Sequence, residues 1–452
     1  MREAGAMRAW LVLALCAAAC TEPLPPPGHV ELFVETDVPL GDGGQTGDPL
    51  FDTVRIELYR GEELAPCAEC ARDFPLSTSI TEPSITVTTR AGGQVVAHVC
   101  IFRARWGCIP DAAVETWAHL PSAPASGGTE ATVSLLLSSV GVPSGSRETP
   151  VAARPGRPRR IARWKDADPV PCAEQAGPDE ACIPGGAFWM GHPLVVDADE
   201  ANRLRRLVVV DPFFLDKTEV SVASYRRAFG GEPPGVGHFS GRERGDKLHD
   251  YCTFTSNAGP NDELPVNCVT WSAARAYCEQ QGRDLPTEAQ FEFASAGQRG
   301  RLFVWGNDLP TCEDAVWGRQ DPEHAAFAGY AANKCARPDS RGLPLSITRE
   351  NVGRDVLPTP DGDVRDLAGN VGEWMRDGFQ DARHECWSKG AVLYNPFCKQ
   401  PGESPFGLVR SIRGGAWFLG VEVLAASHRV NDMAAGFAPA TGFRCVRGAP
   451  AR

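Results

Sequence analysis

The run Asp366-Leu367-Ala368-Gly369-Asn370-Val371-Gly372-Glu373-Trp374 places an amide oxygen and a carboxylate three residues apart in a glycine-punctuated loop. Calcium takes six to eight oxygen ligands, and a tight loop supplies them by alternating side chains with backbone carbonyls. Asn370 and Glu373, with the carbonyls of Gly369 and Val371, form one such candidate set. The alternative is a tight turn in which Asn370 acts as a cap and Glu373 pairs with an arginine. His428 and Asp432, with Arg429 between them, are a candidate acid/base or ligand pair. One histidine beside one carboxylate is more often a packed or surface pair. Cys386 and Cys398 offer two thiolates, whose spacing also suits a local disulfide. His29, His98 and His119 are scattered and have no metal-ligand spacing.

Compartment decides how the cysteines are read. Arg2 and Arg8 precede the apolar run Trp10 to Ala19, which ends in Ala17-Ala18-Ala19-Cys20. That run is too short to span a bilayer as a mature helix and reads as a targeting segment. Small residues before a cysteine resemble a bacterial lipobox, which implies cleavage before Cys20 and lipid attachment to its thiol. Thr21 is not the aspartate that holds lipoproteins at an inner membrane, so the outer membrane or cell surface is the expected location. Sixteen cysteines are present, and an even number remains after Cys16 and Cys20 are set aside. In an exported chain such a count means disulfides. Cys172–Cys182, Cys312–Cys335 and Cys386–Cys398 are plausible local pairs, and Cys67-x-x-Cys70 is expected to be structural. The net charge of -12 argues against a nucleic-acid partner.

These groups need elements to position them, and 452 residues suggest two or three domains. Residues 1–20 are the targeting segment and 21–28 a proline-rich stalk, extended and semi-rigid. Residues 29–140 alternate apolar and polar side chains in short runs, such as Val30 to Glu35 and Val54 to Tyr59. Five to seven strands and no helical period there suggest a small all-β sandwich. Residues 141–181 are rich in Pro and Gly and carry Arg154, Arg157, Arg159, Arg160, Arg163 and Lys165. They read as a basic linker, either solvated or touching anionic headgroups or lipopolysaccharide. From 182 to 448 the pattern is α+β. Ala274, Tyr277 and Cys278 share one face of a helix. Thr287 with Gln290 forms a capping box that starts another helix at Glu288. Phe291 and Phe293 face different sides of that helix.

Four segments in this last region resemble one family. They are Asp366 to Trp374, Leu285-Pro286-Thr287-Glu288-Ala289-Gln290-Phe291-Glu292, Arg413-Gly414-Gly415-Ala416-Trp417, and Gly442-Phe443-Arg444-Cys445. Their order and spacing resemble the sulfatase-modifying factor family, formylglycine-generating enzyme and its relatives, from about Cys182 to Arg447. The resemblance implies a C-type-lectin-like fold and a structural Ca²⁺ at the Asn370 loop. It also implies a second calcium segment near Asp314-Ala315-Val316. In the family's catalysts two cysteines after the glycine pair bind Cu(I), as soft thiolates do. Here those positions are Leu419 and Leu424, and the oxygen-pocket positions are Trp374 and Ala416. No copper is expected at the family site. Arg413 and Arg444 are expected to tie loops to carboxylates. The expected function is an anchored pseudoenzyme that binds a protein, peptide or glycan ligand, with Trp317 and Trp387 as exposed contacts. The alternative is an oxygen-dependent oxidoreductase, of formylglycine-generating or pigment-maturation type, using another metal or cofactor.

Overall fold

The computed structural model describes residues 24–39, 49–61, 63–67, 70–76, 84–88, 94–109, 113–138, 145–159, 161–192, 205–230, 233–238, 251–319, 334–335, 343–388 and 390–448. Cys20 lies outside them. Among the described residues no helix is long and apolar enough to cross a membrane.

Period-two alternation builds the N-terminal half. In Thr53–Arg60 the side chains of Val54, Ile56 and Leu58 are buried, while Arg55, Glu57 and Tyr59 reach outward. This strand lies between Ala65–Pro66 and Val95–Phe102 in a six-stranded sheet that continues through Ala113–His119 to Val151–Ala152. A four-stranded sheet runs Arg154–Pro155, Thr129–Leu135, His29–Thr36, Ser84–Thr88. Leu32, Val34, Val133 and Leu135 from one sheet and Ile56, Leu58, Val99 and Ile101 from the other share one apolar cluster.

That cluster does not stop at residue 140. It takes in Trp164 and Ala167, then Ala187, Trp189, Leu207 and Val209. Within the stretch expected to be a basic linker, the described residues 145–159 and 161–181 are therefore folded. Val151–Ala152 pairs with Ala113–His119, and Arg154–Pro155 pairs with Thr129–Leu135. Its proline-rich composition reads as a tether, but proline is tolerated on sheet edges, where Pro155 sits. Three of its arginines pair with carboxylates: Arg154 with Glu35 at 3.0 Å, Arg157 with Glu130 at 2.9 Å, Arg163 with Asp168 at 2.7 Å. Buried Arg103 fastens the halves further, donating to the carbonyls of Arg299 at 2.9 Å and Gln298 at 3.2 Å.

Among the described residues three α-helices serve the C-terminal half: α1 (Val222–Phe229), α2 (Trp271–Gln280) and α3 (Glu288–Ala296). Ser221, Thr270 and Thr287 cap them by accepting backbone N–H groups. The expected capping box is present at Thr287 and Gln290. α2 buries Ala274, Tyr277 and Cys278 as its spacing predicts. Phe293 of α3 meets Phe188 edge-on, with ring centroids 5.1 Å apart.

One sheet collects the signature segments. Gly372–Gly378 lies between Gly407–Arg413 and Thr441–Gly442, with Glu373 opposite both Arg413 and Gly442. Val430–Met433 extends the same sheet from Gly407–Arg413. Seven disulfides link the fourteen cysteines of the described residues, including the three expected local pairs and Cys67–Cys70. Cys278–Cys445 closes the longest loop and ties α2 to the C-terminal strand.

Candidate functional site

A glycine turn shapes the site. Gly414 and Gly415 have φ of 95° and 78°, where L side chains are strained. A side chain at Gly415 would also meet the Val423 carbonyl oxygen at 2.9 Å. The Asn370 loop clasps this turn: Gly369 N–H donates to Gly414 O at 2.7 Å, and Trp417 N–H donates to Asn370 O at 2.9 Å.

Beyond the turn opens a cavity of about 380 Å³, walled by Ile412, Ala416, Leu419, Val423 and Val430, with Glu422 and Asp432 among its few charged groups. Ala416 and Leu419 thus lie where the resemblance places an oxygen-pocket serine and the first copper thiolate. Neither offers a polar atom. Leu424 is buried in the neighbouring core with Trp317 and Phe291 and does not line the cavity. Trp374 is fully buried too, and its indole N–H donates to Val269 O at 2.8 Å. Asp432 is in the wall and His428 is not, so the cavity does not unite that pair. Burial pushes the Asp432 carboxyl up, against the N–H of Met433 that favours its anion.

Beneath the cavity wall lies a charged layer. Glu288, at the start of α3, faces Arg413 at 2.9 Å and Arg429 at 2.7 Å, and accepts the Ser411 hydroxyl at 2.7 Å. All four are buried. Burial alone would raise the Glu288 pKa, but Arg429 and Arg413 outweigh it and hold it down to about 2. Asp377 goes the other way. Burial and the nearby Glu288 charge raise it to about 7, although it accepts N–H groups from Cys398 and Glu288. The sequence reading missed this cluster. Its only local signal is a pair of acids, Glu288 and Glu292, on a helix whose other positions are mostly apolar.

The calcium loop shows the alternative arrangement. Glu373 faces Arg444 at 2.7 Å, with both groups fully buried. Arg444 also donates to the carbonyls of Arg365 and Asp366, each at 2.8 Å. Asn370 donates to Glu219 at 2.7 Å, and its side-chain oxygen accepts Leu345 N–H at 2.7 Å. Its φ of 58° is that of a tight turn. The two side chains expected to hold Ca²⁺ therefore have protein partners and do not fit that ion as they stand. Val371 contributes its N–H to Glu219 at 3.1 Å. At the second calcium segment Asp314 is held by Arg354 at 2.6 Å, which keeps its carboxyl far below the usual range. Arg413 and Arg444 do tie loops to carboxylates. Trp317 and Trp387, expected as exposed contacts, are 1% and 0% exposed and belong to the core.

Residues 165–449 match the sulfatase-modifying factor enzyme 1-like domain. The chain belongs to this family. It is 28% identical over 195 residues to the inactive C-alpha-formylglycine-generating enzyme 2 of Bos taurus, covering 41% of this chain and 51% of that one. It is 27% identical over 234 residues to the formylglycine-generating enzyme of Mus musculus, covering 43% and 57%. The chain thus spans about half the length of these relatives. Among solved structures it is similar to PvdO from Pseudomonas aeruginosa, at 20% identity and a TM-score of 0.39, covering 60% of this chain and 94% of that one. The family therefore holds both active and inactive members among this chain's relatives.

Proposed function

We infer that this chain is a binding module of the formylglycine-generating-enzyme type, in which an apolar cavity replaces thiol oxidation. The observation that carries this reading is the wall at Ala416 and Leu419. Hydrocarbon cannot ligate Cu(I), which needs soft donors. An apolar cavity with a few polar groups is the usual form of a small-ligand or side-chain pocket. The cavity suits an apolar side chain of a peptide or protein partner, with Asp432 and Glu422 favouring a neighbouring cationic or donor group. The N-terminal sheets, as a β-sandwich sharing its core with the family domain, would present that cavity away from a membrane reached through lipidated Cys20.

Binding of an environment-sensitive apolar dye tests the pocket. Fluorescence enhancement should saturate, and Ala416→Phe, which fills the cavity, should abolish it while the melt stays cooperative. Equal enhancement in Ala416→Phe would overturn the reading. The anchor is tested apart from the pocket: Cys20→Ala should move the protein from the membrane fraction to the soluble one.

A further inference from the structure

A second constellation lies away from the glycine turn. His384 and Cys386 sit on an exposed turn, and Cys398 lies at the other end of the disulfide. His384 Nδ1 is 3.1 Å from Cys386 Sγ and 3.3 Å from the Cys386 backbone nitrogen. Accepting that N–H makes Nδ1 the unprotonated ring nitrogen, whose one lone pair a metal ion would take over from the N–H. One imidazole nitrogen and two sulfurs are thus gathered within ligand reach of a single point. All three residues also line a cavity of about 550 Å³.

We propose that His384, Cys386 and Cys398 form a thiol-gated site for a soft or borderline metal ion such as Zn²⁺, vacant while the disulfide is closed and competent once it opens. The step balances with a dithiol as reductant. A dithiolate attacks one sulfur, the protein S–S bond breaks, and one S–S bond forms in the reductant. Two electrons pass to the protein sulfurs, and binding of Zn²⁺ displaces the two thiol protons.

Among the described residues two histidine–cysteine groupings gather ligand atoms, and geometry favours this one. Bond lengths of about 2.3 Å to sulfur and 2.0 Å to nitrogen put tetrahedral N and S ligands roughly 3.5 Å apart, close to the spacing here. Cys398 is anchored, since its N–H donates to Asp377 at 2.9 Å and its carbonyl accepts Gly378 N–H at 2.8 Å. Cys386, half-buried on its turn, is the sulfur free to move away by the small distance a metal needs. Two thiolates and one imidazole leave a fourth position open to water or a ligand atom. The other histidine–cysteine grouping lacks this property. Both ring nitrogens of His98 already face carboxylates, Glu57 at 3.2 Å and Glu115 at 2.8 Å.

The test uses the full chain. Limited treatment with a dithiol, then differential alkylation and mass mapping, reports which disulfide opens first. Zn²⁺ affinity is then read by competition with a chromophoric chelator. Once Cys386 and Cys398 are both labelled as open, the protein should hold one Zn²⁺. His384→Ala, with an unchanged melt in the oxidised state, should weaken binding by about tenfold or more, and Cys386→Ser/Cys398→Ser should bind none. No Zn²⁺ in the protein with this pair open, or unchanged affinity in His384→Ala, would each overturn the proposal.

Discussion

The cavity wall and the charged layer beneath it meet along the strand Gly407–Arg413 and differ in chemistry. Facing the cavity are Ile412, Ala416, Leu419 and Val430, all hydrocarbon. Behind them Arg413, Arg429 and Glu288 form a fully buried ionic cluster, and Glu373 with Arg444 forms another on the adjoining strand. The signature segments supply both layers. Their charged residues hold loops together, while the positions that would carry oxidation have no reactive atom. A family signature in this chain thus reports a scaffold, and activity has to be read from the few positions that face the cavity.

The largest effect should come from breaking the ionic layer. Glu288→Ala leaves two buried guanidinium groups short of their partner, and loss of one side of such a pair costs about 3–5 kcal/mol. Chemical denaturation should show that drop. Replacing Glu373 and Arg444 together by Leu and Met should cost far less than Arg444→Met alone, because no uncompensated charge remains. A double variant as unstable as the single one would mean packing, not charge, holds that strand.

A smaller effect concerns pH. The folded Asp377 carboxyl titrates near 7, above its ordinary value of 3.8, so the folded state binds the extra proton between those values. Its contribution is full below about pH 4 and is lost as pH rises through 7. Asp377→Asn should flatten that part of the stability–pH curve. Glu288 has the opposite sign: its contribution is present above 4.5 and is lost as pH falls toward 2. A curve for Asp377→Asn parallel to the parent would refute the assignment. The smallest expected effect is that of chelator. With Glu373 on Arg444 and Asn370 on Glu219 and Leu345, removal of calcium should leave the melting temperature unchanged. A clear fall on chelation, absent in Glu373→Ala, would restore calcium to this loop.

Local signals were legible in the sequence and tertiary ones were not. The Thr287–Gln290 box and the buried face of α2 follow from spacing within one helix. Cys172–Cys182, Cys312–Cys335 and Cys386–Cys398 close short loops, so proximity along the chain suggests them. Cys278–Cys445, 167 residues apart, carries no such signal. Neither does the Glu288 cluster, which meets Arg429 only across the tertiary fold. Tryptophan is amphipathic, so type alone could not tell that Trp317 and Trp387 are core. Of the motif positions, Ala416 and Leu419 line the cavity, while Trp374, Leu424 and His428 fall outside its wall.

The proposed replacement of thiol oxidation by ligand binding is tested directly by one incubation. Purified full-length protein is mixed with copper, oxygen and a Cys-x-Pro-x-Arg peptide, and the peptide is followed by mass spectrometry. With hydrocarbon at positions 416, 419 and 424, the peptide mass should stay unchanged. Conversion of its cysteine to formylglycine, at a rate that rises with protein concentration, would contradict the account.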